Sequence, residues 1–376
     1  MAFVYVQEET RMRNTFGNTI TVTLFGESHG EFVGAVIDGL PAGIKIDEDY
    51  IERDMNKRRS VSALSTARRE EDIPHFISGV KDGFTEGTPV TILVENSDAN
   101  PADYAELKGI ARPGHADYTA QVKYNGYQDH NGGGHFSGRL TAPLVAAGSV
   151  VRKALEDKGI FIGTHISRLN NVEDFDFNWD DLENEIRKLN EKQFAVLNEE
   201  MGERMMDKIR EAREEKDSVG GILETAVCGL PAGIGEPLFS SVESEIARAM
   251  FSIGAVKGVQ FGEGFRFANM KGSEANDAFR IVDGKVVTIT NNNGGVNGGI
   301  TNGMPVVFST VIKPTPSIGL PQKTVNFETM ENVDLEIKGR HDPAIVHRAR
   351  AAVDAMTALV IADLICMERG NRWLIG

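Results

Sequence analysis

Cysteine is scarce in this chain. There are two in 376 residues, Cys228 and Cys366, and neither has a partner at metal-ligand spacing. That excludes a disulfide-built scaffold and a cysteine zinc site, and it fits a reducing compartment, so a cytoplasmic protein is expected. His130 and His135, and His341 and His347, also lack partners at metal spacing, so no metal is expected. Long apolar runs are missing. The longest, Ala351–Met367, is interrupted by Asp354 and Asp363 and stops at Glu368 and Arg369. A membrane span needs about 20 largely uncharged residues, so this run reads as a buried helix and no membrane partner is expected. Met1 to Gln7 have no basic start or long apolar core, and no signal peptide is expected. A basic surplus is absent too: 40 Lys and Arg face 55 Asp and Glu, for a net charge of −15. Such a surface argues against nucleic acid as a partner, and an anionic ligand must be met by a local basic pocket. No Pro-rich or low-complexity linker divides the chain. It reads as an N-terminal extension, 1–17, and one domain, 18–370.

Residues 18–46 alternate and are rich in β-branched types, which predicts strand, loop, strand. Asp47 can cap a short helix over 47–58, followed by a basic loop to Arg69. Residues 75–96 read as two strands, and 109–139 as a long irregular segment, a type that is often functional. Helices are expected over 140–158, 179–216 (a solvated pair) and 241–252. Strands are expected over 219–230 and 280–313. A last helix over 343–369 has Asp342 as its cap and Gly370 at its end. One echo stands out. Gly39-Leu40-Pro41-Ala42-Gly43-Ile44 recurs as Gly229-Leu230-Pro231-Ala232-Gly233-Ile234, each after a strand-like run, which predicts internal pseudo-symmetry.

Several clusters can carry chemistry. Gly26-Glu27-Ser28-His29-Gly30 sets a carboxylate, a hydroxyl and an imidazole between two glycines. It fits G-x-S-x-G, the nucleophile-elbow pattern, which needs a helix directly after the serine. Glu31–Gly39 reads instead as a second strand. A serine hydrolase using Ser28, with Asp342 and His347 downstream, stands as the alternative reading. In Arg112-Pro113-Gly114-His115-Ala116-Asp117, Arg112 offers a rigid fork for phosphate or carboxylate, and Asp117 can orient His115. A loop histidine bonded to its neighbours explains that cluster equally well. Gly132-Gly133-Gly134-His135-Phe136-Ser137-Gly138-Arg139 leads into a helix, the setting of an anion site, without matching a Walker or dinucleotide motif. The Asn- and Gly-rich run 291–303, followed by Lys313-Pro314-Thr315-Pro316-Ser317, is either a flexible loop or a set of amides suited to a phosphate and a heterocycle. Lys338-Gly339-Arg340-His341-Asp342 brings cations beside a carboxylate. Lys57, Arg58, Arg59, Arg68 and Arg69 put five cations within 13 residues, a candidate funnel for an anion.

Taken together, these motifs resemble the chorismate synthase family over about Gly17 to Leu364. Gly26–Pro41 resembles its first signature and Gly134–Val150 its second. Arg340-His341-Asp342-Pro343 opens its third, with Arg112–Thr119 and Lys313-Pro314-Thr315 as further hallmarks. The resemblance implies an α+β fold, a single large domain with helices sandwiched between antiparallel β-sheets, and a homotetramer. It implies a lyase that converts 5-enolpyruvylshikimate 3-phosphate to chorismate and phosphate by anti 1,4-elimination. Reduced FMN is the implied cofactor, with NADPH as a possible reductant. By position, the resemblance puts His29 near the substrate phosphate with Ser28 beside it. It makes His115 the histidine that protonates the reduced flavin and Asp342 the carboxylate that helps take the substrate proton. It counts Ser137 with the catalytic groups. His135, Phe136, Ser137, Gly254, Ala255, Gly298, Lys313, Pro314, Thr315, Pro316, Ser317 and Arg340 fall at FMN-contact positions. Arg58 is tied to NADP and the anionic substrate, with Arg59, Arg112 and Arg139 as companions. The chemistry agrees: expelling phosphate and removing an unactivated proton calls for cations, an acid and a base.

Overall fold

Val33, Ala35 and Ile37 alternate along one segment, and Val90, Ile92 and Val94 along another; all six are 0% exposed. Alternation at a period of two puts them on one face of a sheet, and that face is the one covered by helices. The computed structural model describes residues 14–59, 71–97, 109–337 and 342–376. Its first sheet contains β1 (Thr15–Gly17), β2 (Thr21–Gly26), β3 (Phe32–Asp38), β4 (Pro74–Ser78) and β5 (Val90–Glu95). They are antiparallel, in the order β1-β2-β3-β5-β4. The second contains β6 (Phe161–Leu169), β7 (Val172–Glu173), β8 (Gly221–Cys228), β9 (Val256–Phe261) and β10 (Val306–Ile312), also antiparallel, in the order β7-β6-β8-β10-β9.

Helices pack between and around these sheets. They are α1 (Glu48–Arg58), α2 (Asp117–Lys123), α3 (Thr141–Glu156), α4 (Leu182–Asn190), α5 (Glu199–Glu214), α6 (Val242–Ser252) and α7 (Val346–Arg369). α3 packs on β3 and β5, α7 packs on β6 and β8, and the two helices pack on each other. α7 is buried along most of its length, as its apolar sequence demands. Among the described residues no helix is long and apolar enough to cross a membrane.

The repeated hexapeptide marks a true internal repeat. The order β2-β3-β5-β4 in one sheet matches β6-β8-β10-β9 in the other. Gly39 and Gly229 both have positive φ, +88° and +84°. A Cβ on either would meet a backbone oxygen, that of Thr19 at 1.9 Å or Gly159 at 2.0 Å, so only glycine fits. Each turn is then clamped by one threonine. Thr85 Oγ1 donates to the Pro41 carbonyl at 2.7 Å and accepts from the Ile44 amide at 2.9 Å. Thr301 Oγ1 does the same with Pro231 and Ile234, at 2.7 and 2.9 Å. An 11-residue helix follows each turn, α1 capped by Asp47 and α6 by Ser241.

The central helices meet at a buried ion cluster. Arg152 of α3 donates to both Asp54 oxygens of α1, at 3.1 and 3.0 Å, and to the Ile162 carbonyl of β6 at 2.6 Å. Asp354 of α7 lies 3.6 Å from Arg152 and accepts from Thr164 at 2.6 Å. Lys57 pairs with Asp54 from the same helix. Burial pushes the Lys57 ammonium down to about 8, against the opposing pull of Asp54.

Some elements depart from expectation. Asp342 does not cap the last helix: α7 starts at Val346, and Ile345 at its N-cap position supplies no side-chain bond. Gly370 does end it, at φ +78°. The irregular stretch 109–139 contains α2. Strands β6 and β9, and a hairpin pairing Gln322–Asn326 with Glu331–Leu335, carry no sequence expectation. The run Asn291–Asn293 is not a loose loop, because Asp277 accepts from the Asn292 and Asn293 amides at 2.7 and 2.9 Å.

α3 and α7 touch at Gly148, where a Cβ would stand 2.4 Å from the Ala355 Cβ. Gly148→Leu is expected to lower unfolding free energy by about 1–3 kcal/mol or more, because two packed helices must move apart. Denaturant titration checks this; an unchanged midpoint would show that the helices are not held in this contact.

Candidate functional site

Ser28 and His29 sit on the loop between β2 and β3, so Ser28 lies between two strands rather than at a strand–helix elbow. The hydroxyl is buried and donates to the Asn131 carbonyl at 3.1 Å. His29 Nδ1 lies 3.0 Å from Ser28 Oγ. With the hydroxyl proton committed to Asn131, His29 Nδ1–H is the donor to Ser28. His347, the downstream histidine of the hydrolase alternative, is buried in α7, 6.0 Å from the Phe194 ring. Burial, aided by Arg348 and Arg350, pushes it down to about 3.

The glycine triplet 132–134 is the seat of the site. Gly132 has φ +63°, and a Cβ there would stand 2.1 Å from His29 Cε1 and 2.8 Å from Ser28 Oγ. Gly133 faces the second imidazole: its Cβ would lie 3.3 Å from both His115 Cε1 and Nε2. Two histidines more than 80 positions apart therefore rest on consecutive glycines. The Ser28 amide donates to the Gly134 carbonyl at 3.2 Å, and His135 Nδ1 lies 3.0 Å from the Gly26 carbonyl, which locks the two loops together.

His115 is held from behind. Its Nδ1 is 2.8 Å from Asp117 Oδ1, and Arg112 grips Asp117 through its amide, Nε and Nη2 at 2.9, 2.8 and 2.7 Å. Burial alone would raise the Asp117 carboxyl; hydrogen bonds from Arg112 and His115 overcome it and hold the group well below the usual carboxylate range. Lys313 reaches the same loop and donates to the Gly114 carbonyl, and its amide donates to Ala255 at 2.9 Å. Burial and the Lys257 charge push the Lys313 ammonium below its ordinary value.

Asp342 anchors a second cluster. Its Oδ2 accepts from Arg348 at 2.7 Å, while Oδ1 is buried and has no hydrogen-bond partner among the described residues. Burial raises this carboxyl, and Arg348 opposes the rise only in part. Arg348 also donates to the Arg58 carbonyl at 2.9 Å, which ties Asp342 to the end of α1. Arg58 and Arg139 are both buried, and both bond to Asp72. Arg58 also donates to Thr141 at 2.8 Å, and Arg139 to Asn96 at 2.6 Å and the Glu95 carbonyl at 2.7 Å. Ser137 accepts from the Arg139 amide at 3.2 Å and starts the turn into α3.

The structure thus gathers Ser28, His29, His115, Arg112, His135, Ala255 and Lys313 about the glycine triplet, and Arg58, Arg139, Ser137 and Asp342 about Asp72 and Arg348. Phe136 is 43% exposed, edge-on to Tyr124. Arg59 ends α1 and bonds to Asn56. Thr315 gives its carbonyl to Ser218 at 2.7 Å, fixing the Pro314–Ser317 run. Gly254 precedes Ala255 in the turn before β9. Gly298 lies on a hairpin beside α6; among the described residues no hydrogen bond joins it to the glycine triplet. Arg340, His341, Arg68 and Arg69 lie outside the described residues. Asp72 and Arg348 carry no sequence expectation. Asp72 has a left-handed backbone, φ +49°, which only geometry reveals. Arg348 looks like any helix cation until the fold turns it toward Asp342.

The sequence model of one family, described as chorismate synthase, matches residues 20–366. A chorismate synthase from Pyrococcus abyssi is 46% identical over 353 residues, covering 94% of this chain and 98% of that protein. One from Thermococcus gammatolerans is 48% identical over 352 residues, covering 92% and 96%. A crystal structure of chorismate synthase superposes with a TM-score of 0.74 at 27% identity, covering 94% of each chain.

Two outcomes follow from the geometry. Gly132→Ala should cut turnover at least about tenfold, since the new methyl displaces the His29 imidazole from its seat; steady-state kinetics reads this, and an unchanged rate would show that the seat does not matter. The raised Asp342 carboxyl should make activity fall, as pH drops, at a higher pH than an ordinary carboxylate near 4 allows. Arg348→Gln removes the opposing cation, so the acid limb should move further up; a downward move would contradict the pairing.

Proposed function

The chain belongs to the chorismate synthase family, and from that premise we propose which of its residues do the work. It is a lyase of the shikimate pathway, in aromatic amino-acid biosynthesis, and converts 5-enolpyruvylshikimate 3-phosphate to chorismate and phosphate. The overall step breaks a C–H and a C–O bond. The proton goes to a base, and phosphate leaves with the C–O electron pair.

The observation that carries the assignment is the pairing of two opposite kinds of group. Two imidazoles rest on one glycine turn, and a buried carboxylate has one oxygen without a partner among the described residues. His29, held through Nδ1 by Ser28, faces the departing phosphate. His115 acts as proton donor from Nε2. Asp342 Oδ1 accepts a proton, which its raised affinity favours. Arg58, Arg59 and Arg139 supply positive potential for the multiply charged substrate in a chain of net charge −15. Arg112 spends its described donors on Asp117, which favours a supporting role over direct substrate contact.

The residues also fit a flat anionic cofactor, reduced FMN. Among the described residues, a half-exposed aromatic ring at Phe136, a cation at Lys313, an Asp342 oxygen without a partner and open space beside Gly254 and Gly298 suit such a group. His135, Phe136, Ser137, Gly254, Ala255, Gly298, Lys313–Ser317 and Arg340 would hold it. When bound, reduced FMN supplies electron density to the reacting centre, and the protein supplies placement and protons. NADPH as its reductant, a homotetramer and a cytoplasmic location complete the reading.

The test is anaerobic protein with reduced FMN and 5-enolpyruvylshikimate 3-phosphate. Phosphate and chorismate should appear in equal amounts. Asp342→Asn and His115→Ala should each lose roughly 10²-fold or more in kcat. No product with the unaltered protein would overturn the reading, and labelling of Ser28 by a fluorophosphonate would restore the hydrolase alternative.

A further inference from the structure

We propose that Asp117 is a positioning residue for the lyase reaction: braced by Arg112, it fixes His115 in the Nδ1–H tautomer and so makes Nε2 the working nitrogen. The inference rests on the proposed role of His115 and extends it to the groups behind the ring.

The geometry leaves one consistent proton arrangement. An ionised carboxylate only accepts, so a bond of 2.8 Å between Asp117 Oδ1 and His115 Nδ1 places a proton on Nδ1. Arg112 Nη2 also lies 3.1 Å from Nδ1, but a guanidinium only donates and cannot bond a protonated nitrogen. Its proton goes to Asp117 Oδ1 at 2.7 Å instead. The three donors of Arg112 keep the carboxylate charged and fix its plane. Arg112 is itself 7% exposed, so the brace is shielded from water.

The consequence concerns proton delivery. In the charged ring both nitrogens carry protons, and Nε2 faces the loop at Gly133. On giving up the Nε2 proton, His115 falls directly into the tautomer that Asp117 already holds. No ring flip or second transfer is needed before the next cycle.

Replacement by asparagine makes the arrangement testable. In Asp117→Asn the amide oxygen belongs where Arg112 makes two bonds, at the Oδ2 position. The amide NH2 then faces Nδ1, which must turn acceptor, so the ring proton moves to Nε2. Selective 15N-histidine labelling of the flavin-free protein reads this directly, with His115→Ala identifying the resonance among eight histidines. Unaltered protein should show protonated Nδ1 at neutral pH, and Asp117→Asn protonated Nε2. In the reaction, Asp117→Asn should lose roughly 10²-fold in kcat, with KM changed by less than about threefold. A ring protonated at Nε2 with a bare Nδ1 in the unaltered protein overturns the proposal, even if the variant does not fold. A folded Asp117→Asn that keeps Nδ1–H, or that loses only KM, does the same. Failure of the unaltered protein to make chorismate would instead sink the functional reading and leave the tautomer result standing.

Discussion

The contact between Arg152 and Asp54, deep between the two sheets, sets the geometry of everything near the site. It joins α3 to α1, and through Asp354 and Thr164 it reaches α7 and the second sheet. Charges this far from water are costly unless each is paired, and removing one partner leaves the other stranded. The cluster therefore specifies one relative placement of three helices. Arg58 lies one turn beyond Asp54 on α1, Arg348 less than two turns before Asp354 on α7, and Thr141 at the start of α3. The three helix ends that carry Arg58, Asp342 and Ser137 inherit their spacing from a buried knot that never meets substrate.

Internal duplication explains why the site draws on such distant positions. Each half runs through four paired strands and then crosses to its central helix, α3 or α7. The crossing of the first half carries His115 and the glycine triplet, and that of the second carries Lys313 and Asp342. The halves are not equivalent here. Between β2 and β3 the chain makes a tight loop with Ser28 and His29, whereas between β6 and β8 it inserts α4 and α5. One symmetric frame thus presents a single asymmetric candidate site, its imidazoles drawn from one half and its carboxylate from the other.

Much of this was legible in the sequence, and the limits have physical causes. The hexapeptide echo announced the repeat, because the same glycine and threonine clamps are needed twice. Ser28, His29, His115 and Asp342 stood out because polar groups flanked by glycine or proline are rarely placed for packing alone. Strands β6 and β9 are not legible because the first is buried on both faces and the second is interrupted by Gly258, which blurs a period of two. Asp342 resembles a helix cap by spacing, yet the chain makes a further turn before Val346 and spends the carboxylate on Arg348. Asp72 could not be found at all: its importance lies in a left-handed backbone and two arginines from separate elements, none of it local.

The hairpin Gln322–Asn326 and Glu331–Leu335 has a bearing on how the molecule assembles. Its edge bonds to the first half, with the Ala111 amide donating to the Val325 carbonyl at 3.1 Å and the Phe327 amide to Gly109 at 2.8 Å. These contacts join segments separated by more than two hundred residues, so they carry a large loop-closure cost that local strands and helices do not. In kinetic terms the candidate site is assembled at the end: two sheets and their helices can nucleate within their own halves, while the residues proposed to handle protons meet only when the halves dock. Changes within the catalytic loops should then act mainly on the unfolding rate, leaving the early folding nucleus untouched.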